Sequence, residues 1–188
     1  MSMVIGHADS TGKIPLARAR ELADHLVRRL AEVADRVEVV GSVRRQKPEV
    51  KDIELLVLPR PGQAAMFEDP DPDAPAVQAA VRNWGHVVRS GLRYTQVILP
   101  DGATVDVFVV IPPADWYVLK AIRTGPAALS EAAVTWMKRQ GYRCEKGHLL
   151  QHGRAVELAS EADFFTAAGM EYHAPEARDA YARKLGLV

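Results

Sequence analysis

The spacing of hydrophobic and polar residues predicts a helix near the start of the chain and a small sheet after it. Leucines between positions 16 and 30 recur at helical spacing and predict a helix over 16–33. Apolar runs bounded by turn-forming residues predict strands at 37–41, 52–58, 86–90, 93–99 and 104–110. A short helix is predicted at 77–84, and Pro-Asp-Gly at 100–102 predicts a hairpin between the last two strands. We therefore expect a mixed sheet flanked by helices.

The second half of the chain is predicted to be mainly helical. Helical patterns cover 115–123, 127–140, 160–168 and 175–185, and a hairpin is predicted from 142–145 and 148–152. In the first half, the segment 59–74 interleaves prolines with acidic residues, which predicts a solvated loop. The whole pattern is that of an α/β protein of the α+β type.

Composition narrows the class of protein. The 188 residues are 48% hydrophobic, which is enough for one domain or for two closely packed lobes. No apolar run approaches the ~20 residues that a membrane-spanning helix requires. The N-terminus does not resemble a signal peptide. The single cysteine, Cys144, excludes an internal disulfide and fits a reducing compartment. A cytoplasmic protein without membrane contact is expected.

The charges are balanced overall but unevenly distributed. The chain has 24 basic and 24 acidic residues, so its formal net charge is zero. The segment 114–154 holds seven lysines and arginines against three acidic residues, whereas 61–80 holds four acidic residues and no basic one. Because neutralisation of phosphates dominates nucleic-acid affinity, a balanced chain with one basic region predicts weak, local contact with nucleic acid.

Candidate chemistry is concentrated between residues 41 and 54. Asp52 and Glu54 are two residues apart in a predicted strand, so their side chains share one face. Two neighbouring carboxylates repel each other unless a cation lies between them, and a hard divalent metal is a suitable cation. Gly41 and Ser42 form a turn followed by two arginines, a combination suited to a polyphosphate. Metal on one side and phosphate on the other indicates nucleotidyl transfer.

This stretch resembles the nucleotidyltransferase superfamily, and more narrowly the family X DNA polymerases of the DNA polymerase beta type. That family carries Gly-Ser-x-Arg-Arg, then Asp-x-Asp, then a third carboxylate shortly before Ile-Pro. Asp106 matches the third carboxylate, since Ile-Pro follows at 111–112. Thr-Gly at 124–125, Gly-Tyr at 141–142 and the closing segment 161–176 also match, in order. The resemblance covers about 13–178.

The resemblance implies a set of site residues. Asp52, Glu54 and Asp106 would be the catalytic carboxylates and would hold two Mg²⁺ ions, with Mn²⁺ as an acceptable replacement. The residues implied to bind the nucleotide are Lys13, Gly41, Ser42, Arg45, Ile122, Arg123, Thr124 and Gly125. Arg44 is expected to brace the Gly-Ser turn from behind.

The resemblance also implies an architecture and an activity. A catalytic palm with a small mixed sheet would occupy 1–112, and a C-terminal helical lobe with a β-hairpin would occupy 113–188. The implied activity is transfer of a nucleotide from a nucleoside triphosphate to a DNA 3′-hydroxyl, with gap filling in DNA repair as the role. Primed or gapped DNA would be bound weakly, and the protein is expected to be a monomer.

The chain departs from the family pattern at several positions. Glu54 stands where the family has a shorter Asp, Lys51 replaces a small residue, and Ile122 with Arg123 replaces an aromatic pair beside the incoming sugar. Two alternatives therefore stand beside polymerase activity. One is transfer of a nucleotide to a protein or a small molecule, and the other is a catalytically impaired module that binds nucleotide or DNA.

Overall fold

The fold is built around a sheet whose strand order brings distant parts of the sequence side by side. The computed structural model describes residues 12–61 and 74–188. In chain order the elements are β1 (Ile14–Pro15), α1 (Leu16–Leu30), β2 (Ala34–Val40), α2 (Gly41–Arg44), β3 (Glu49–Val50), β4 (Asp52–Pro59), α3 (Ala74–Arg82), β5 (His86–Gly91), β6 (Tyr94–Ile98), β7 (Thr104–Val109), α4 (Trp116–Thr124), α5 (Ala127–Arg139), β8 (Tyr142–Glu145), β9 (His148–Gln151), β10 (Arg154–Val156), α6 (Glu161–Ala167), a 3-10 turn (Pro175–Ala177) and α7 (Arg178–Lys184).

The main sheet has five strands in the order β2-β4-β7-β6-β5. Strands β4 and β7 are parallel, and the other neighbours are antiparallel. A mixed sheet with flanking helices confirms the fold class predicted from the sequence. Two smaller sheets pair β1 with β3 and arrange the C-terminal strands as β10-β9-β8.

One face of the main sheet packs against α1 and α3. Leu26 and Leu30 of α1 are buried in a cluster with Ile53, Leu55 and Val57 of β4. These three residues alternate with the two carboxylates of the same strand, so burying one face presents the carboxylates on the other. The hydrophobic core therefore decides which way the candidate site faces.

The opposite face of the sheet meets α4. Val40, Leu56, Phe108 and Trp116 form a separate buried cluster between the strands and this helix. Leu56 and Phe108 lie two positions beyond the candidate carboxylates on their strands, and therefore share their face. The cluster thus seats α4 directly beside the candidate site.

The C-terminal elements have a core of their own. Leu129 and Met137 of α5, Leu149 of β9 and Phe164 of α6 are buried together. This separate core is compatible with a lobe over 113–188, although that boundary stays a prediction. No helix in the described parts of the chain has the length and apolar character to cross a membrane.

Several element boundaries differ from the sequence-based expectation. Helix α1 ends at Leu30, three residues early, because the chain turns there into β2, which begins at Ala34. The predicted C-terminal hairpin gains a third strand, β10, which is three residues long and mostly exposed and so has little hydrophobic pattern. The last predicted helix is split into a 3-10 turn and α7. Most of the predicted loop at 59–74 lies outside the described residues.

Candidate active site

The parallel pairing of β4 and β7 brings the three candidate carboxylates together on one face of the sheet. Glu54 is paired with Asp106, and Asp52 is paired with Thr104 next to it. Neighbouring strands lie about 4.8 Å apart, so carboxylates in adjacent register positions interact strongly. The sequence alone placed Asp52 and Glu54 on one face, and the strand order adds Asp106 to them.

Burial and the neighbouring negative charges raise the pKa values of Glu54 and Asp52. Burial, followed by the negative charges of Asp52 and Asp106, raises the pKa of Glu54 to about 7. Burial and the charge of Asp106 also raise the pKa of Asp52. Shifts in this direction mean that the folded protein holds negative charge there at a cost in free energy. A bound cation would relieve that cost.

Asp106 is oriented by two neighbours on β6. It is 9% exposed, and its Oδ1 accepts hydrogen bonds from the Tyr94 hydroxyl at 2.8 Å and from Nε2 of Gln96 at 2.9 Å. Burial and the hydrogen bond to Asp106 raise the pKa of Tyr94 to about 12. Sequence reasoning missed both donors. Their spacing of two residues in a strand was the available signal, because it places them on one face.

Glu54 owes its position to a glycine. Gly41 begins α2 with a φ of +65°, and a Cβ at this position would overlap Oε2 of Glu54. The longer side chain of Glu54 is therefore accommodated by folding against the Gly41 backbone. Next to it, the buried Oγ of Ser42 has no hydrogen-bond partner within the described residues. An unsatisfied buried hydroxyl beside a cavity is typical of a group that binds a ligand.

An alanine in the left-handed region costs about 1–3 kcal/mol. We expect Gly41→Ala to lower the free energy of unfolding by more than this. The additional loss comes from the overlap with Glu54. Gly102→Ala is the matched control, because Gly102 has a φ of +87° and open space around it. Urea unfolding of both variants measures the difference. Equal losses would show that the Glu54 carboxylate does not lie against Gly41.

A cavity of about 390 Å³ opens beside Asp52 and Glu54, whereas Asp106 is not among its lining residues. Its lining includes the predicted site residues Ser42, Arg45, Asp52, Glu54, Ile122, Arg123 and Gly125. It also includes Lys47, Glu49, Val50, Lys51 and Ala127, which were not predicted to be site residues. Thr124 is buried and contributes its carbonyl oxygen, which accepts a hydrogen bond from Nη1 of Arg45. Lys13, which precedes β1, is not among the described residues that line this cavity.

Arg44 and Arg45 are adjacent and both donate to Thr124, but they pair with different carboxylates. Arg44 donates to both carboxylate oxygens of Glu161 at 2.7 and 2.6 Å, and to Oγ1 of Thr124 at 2.5 Å. Arg45 lines the cavity, and its Nε donates to Asp179 at 3.1 Å. Arg44 thus ties α2 to α4 and α6, as expected of a residue that braces the turn, whereas Arg45 faces the space where a ligand would bind.

Arg123 provides a positive charge next to the carboxylates. Its guanidinium lies over the ring of Phe108, 3.9 Å from the centroid. Burial lowers the pKa of Arg123, while the charges of Glu54 and Asp106 act in the opposite direction. The guanidinium therefore balances part of the negative charge in the site. Its position on α4 also makes it a wall of the cavity.

The donor set suits a hard divalent cation, but the side chains do not converge. Three carboxylates, of which Asp52 and Glu54 have raised pKa values, supply the oxygen ligands that Mg²⁺ prefers. In the described residues, however, no three His, Cys, Asp or Glu side chains are close enough to hold one ion together. Asp106 is directed to β6 and Glu54 to Gly41. The residues fit a divalent metal in chemistry and in strand register.

The fold is similar to that of known polymerase structures. No protein-family model and no curated protein sequence matches the chain. Two structures of Leishmania infantum polymerase beta superpose on it with a TM-score of 0.73 each. The ternary P/T complex is 20% identical over 89% of this chain and 77% of that one, and the ternary gap complex is 18% identical over 93% and 72%. At this identity the likeness establishes a polymerase beta-like fold.

Proposed function

We propose that the protein is a metal-dependent nucleotidyltransferase that transfers a nucleotide from a nucleoside triphosphate to a DNA 3′-hydroxyl. The observation that carries this proposal is the register of β4 and β7, which sets Asp52, Glu54 and Asp106 on one face beside a cavity lined by Ser42 and Arg45. Carboxylates next to a phosphate-binding turn are the parts that this reaction requires. The fold similarity supports the same reaction class.

We assign one group of residues to the triphosphate and another to the acceptor hydroxyl. The Ser42 hydroxyl and the Arg45 guanidinium bind and orient the triphosphate. Tyr94 and Gln96 both donate to Oδ1 of Asp106, which leaves Oδ2 outside these two hydrogen bonds. We assign Oδ2 to the acceptor side, where it takes up the proton of the attacking hydroxyl. Two Mg²⁺ ions held by the carboxylates would neutralise the triphosphate and lower the pKa of that hydroxyl.

The remaining residues shape the nucleotide site and the DNA contact. Ile122, Arg123 and Gly125 are assigned to the nucleotide because they line the cavity, and Lys13 is assigned to the triphosphate tail. The palm would end near residue 112, and the basic segment 114–154 would provide weak contact with primed or gapped DNA. Gap filling in repair is the role that this arrangement suits.

A second candidate is a module that binds nucleotide without transferring it. The observation that favours it is the position of the carboxylates, since Asp106 is held by β6, Glu54 lies against Gly41, and Arg123 already supplies positive charge. In this case the cavity would bind a triphosphate, and the side chains would not rotate to hold two metal ions.

An acceptor assay with an α-labelled deoxynucleoside triphosphate and Mg²⁺ separates the candidates. The reaction contains primed duplex DNA and gapped duplex DNA, and its products are separated by gel from the protein and from small molecules. We expect label on the primer only, and none when the metal is chelated. Label on the protein or on a small molecule would favour the other transferase class. Retained, unreacted triphosphate would favour the binding module.

A further inference from the structure

Asp179, near the start of α7, contacts two cations of the candidate site at once. Its Oδ2 accepts from Nε of Arg45 at 3.1 Å, and its Oδ1 lies 3.1 Å from Nζ of Lys47. The Asp179 side chain is 18% exposed, so solvent screens these contacts only in part. A residue 134 positions away from Arg45 therefore controls the charge beside the cavity.

Asp179 lies behind the cations and not in front of them. Arg45 and Lys47 line the cavity, whereas Asp179 is not among its lining residues. Arg45 uses Nε for Asp179 and Nη1 for the carbonyl of Thr124, so its other terminal nitrogen remains to face the cavity. The Lys47 ammonium group has three N–H donors, and its contact with Asp179 occupies one of them. Both cations can therefore contact an anion in the cavity while they stay bound to Asp179.

The carboxylate of Asp179 is ionised near neutral pH. Burial opposes its ionisation, but the hydrogen bond from Lys47 and the charge of Arg45 outweigh burial and hold the pKa of Asp179 below its usual range. The three groups together carry one positive charge, where Arg45 and Lys47 alone would carry two. Any polyphosphate in the cavity experiences this reduced charge.

We propose that Lys47 is a second phosphate-binding cation of the site, and that Asp179 lowers the affinity of Lys47 and Arg45 for triphosphate and pyrophosphate by offsetting part of their charge. The inference rests on the proposed function, because it takes the cavity as the triphosphate site. It also explains why a carboxylate that weakens triphosphate binding would stand beside the cavity. A site with two uncompensated cations would release pyrophosphate slowly after each transfer.

Asp179 has two effects on binding, and they have opposite signs. It repels the triphosphate, and it also holds two side chains in position for it. The repulsion acts on every charge of the ligand, whereas the ordering concerns two side chains, one of which the Thr124 carbonyl also holds. The repulsion therefore dominates, and removing the charge should strengthen binding.

Calorimetric titration with inorganic triphosphate in the presence of Mg²⁺ tests the inference without requiring transfer. Asp179→Asn should bind about ten-fold more tightly than the native protein, and the gain should shrink as salt is added. Lys47→Met should bind about ten-fold more weakly, and the double variant should return to near the native affinity. Glu176→Gln is the matched control, because this exposed residue loses the same charge three positions earlier and should change nothing.

The outcomes separate this inference from the proposed function. Unchanged or weaker binding by folded Asp179→Asn, with Glu176→Gln unchanged, would overturn the role of Asp179 while the triphosphate site stands. Failure of the native protein and of all variants to bind triphosphate would overturn the proposed function as well. If thermal unfolding shows that Asp179→Asn does not fold, Lys47→Met decides the matter, and native-like binding by that variant contradicts the proposal.

Discussion

Asp52→Asn and Asp106→Asn are each expected to abolish nucleotide transfer, with a loss of about a thousand-fold or more, equivalent to about 4 kcal/mol in the barrier. Asparagine keeps the shape of the side chain but removes the charge on which a divalent metal and the reacting hydroxyl depend. Asp106 would also lose its part in the proton transfer. Single-turnover primer extension with saturating Mg²⁺ measures the effect.

The same two substitutions should leave the fold intact. The raised pKa of Asp52 means that its charge is unfavourable in the folded protein, so neutralising it removes a repulsion and does not lower stability. Asp35→Asn is a suitable control, because Asp35 is an exposed partner of Arg60 on the opposite end of β2. Native rates in either site variant would show that the carboxylate set is not the catalytic centre.

Glu161→Gln is expected to cost about 3–5 kcal/mol of unfolding free energy, the loss that follows when one partner of a buried ion pair is removed. Glu161 accepts hydrogen bonds from both terminal nitrogens of Arg44, and its Oε1 lies 3.0 Å from Nη2 of Arg178. Arg178 is fully buried against the rings of Phe165 and Tyr172, where water cannot replace the lost carboxylate. Two arginines would then repel each other inside the protein.

Unfolding in guanidinium chloride measures the loss of stability of Glu161→Gln, with Glu131→Gln as the control. Glu131 is an exposed residue of α5, so its neutralisation should change stability by less than about 0.5 kcal/mol. A loss for Glu161→Gln as small as that of the control would mean that the Arg44–Glu161–Arg178 network does not hold the C-terminal elements against α2.

Glu161 also makes the stability of the protein depend on pH. Burial opposes the ionisation of Glu161, but the hydrogen bond from Arg44 and the charges of Arg178 and Arg44 outweigh it, so the pKa of Glu161 lies below its usual range. A lowered pKa contributes stability that is fully present above the unfolded pKa of about 4.3 and is lost as the pH falls through the folded value. The native protein should therefore lose this contribution on acidification, while Glu161→Gln should show a flatter profile.

The sequence predicted local features better than long-range partners. The two-residue period of β4 was sufficient to place Asp52 and Glu54 on one face, since burial of Ile53 and Leu55 fixes the other face. The pairing of Glu54 with Asp106 depends on β4 and β7 being parallel neighbours, and no local pattern encodes which strands pair. For Asp106 the prediction rested on a resemblance and not on geometry.

Partners far apart in sequence were not predictable from the pattern. Glu161 appeared as part of a helix start, and its pairing with Arg44 spans 117 residues. Asp179 appeared as an ordinary polar residue of the last helix, although it faces Arg45 and Lys47. In both cases the packing of the C-terminal core against α2 creates the contact. Charge balance in the site is therefore a property of the tertiary structure.

The most direct test of the central proposal is the stoichiometry of the reaction. Native protein is mixed with gapped DNA, one deoxynucleoside triphosphate complementary to the gap, and Mg²⁺, and both extended primer and pyrophosphate are quantified over time. We expect the two products to appear in equal amounts, and neither to appear without metal or without a primer 3′-hydroxyl. Triphosphate that remains bound and intact, with no extended primer, would contradict it.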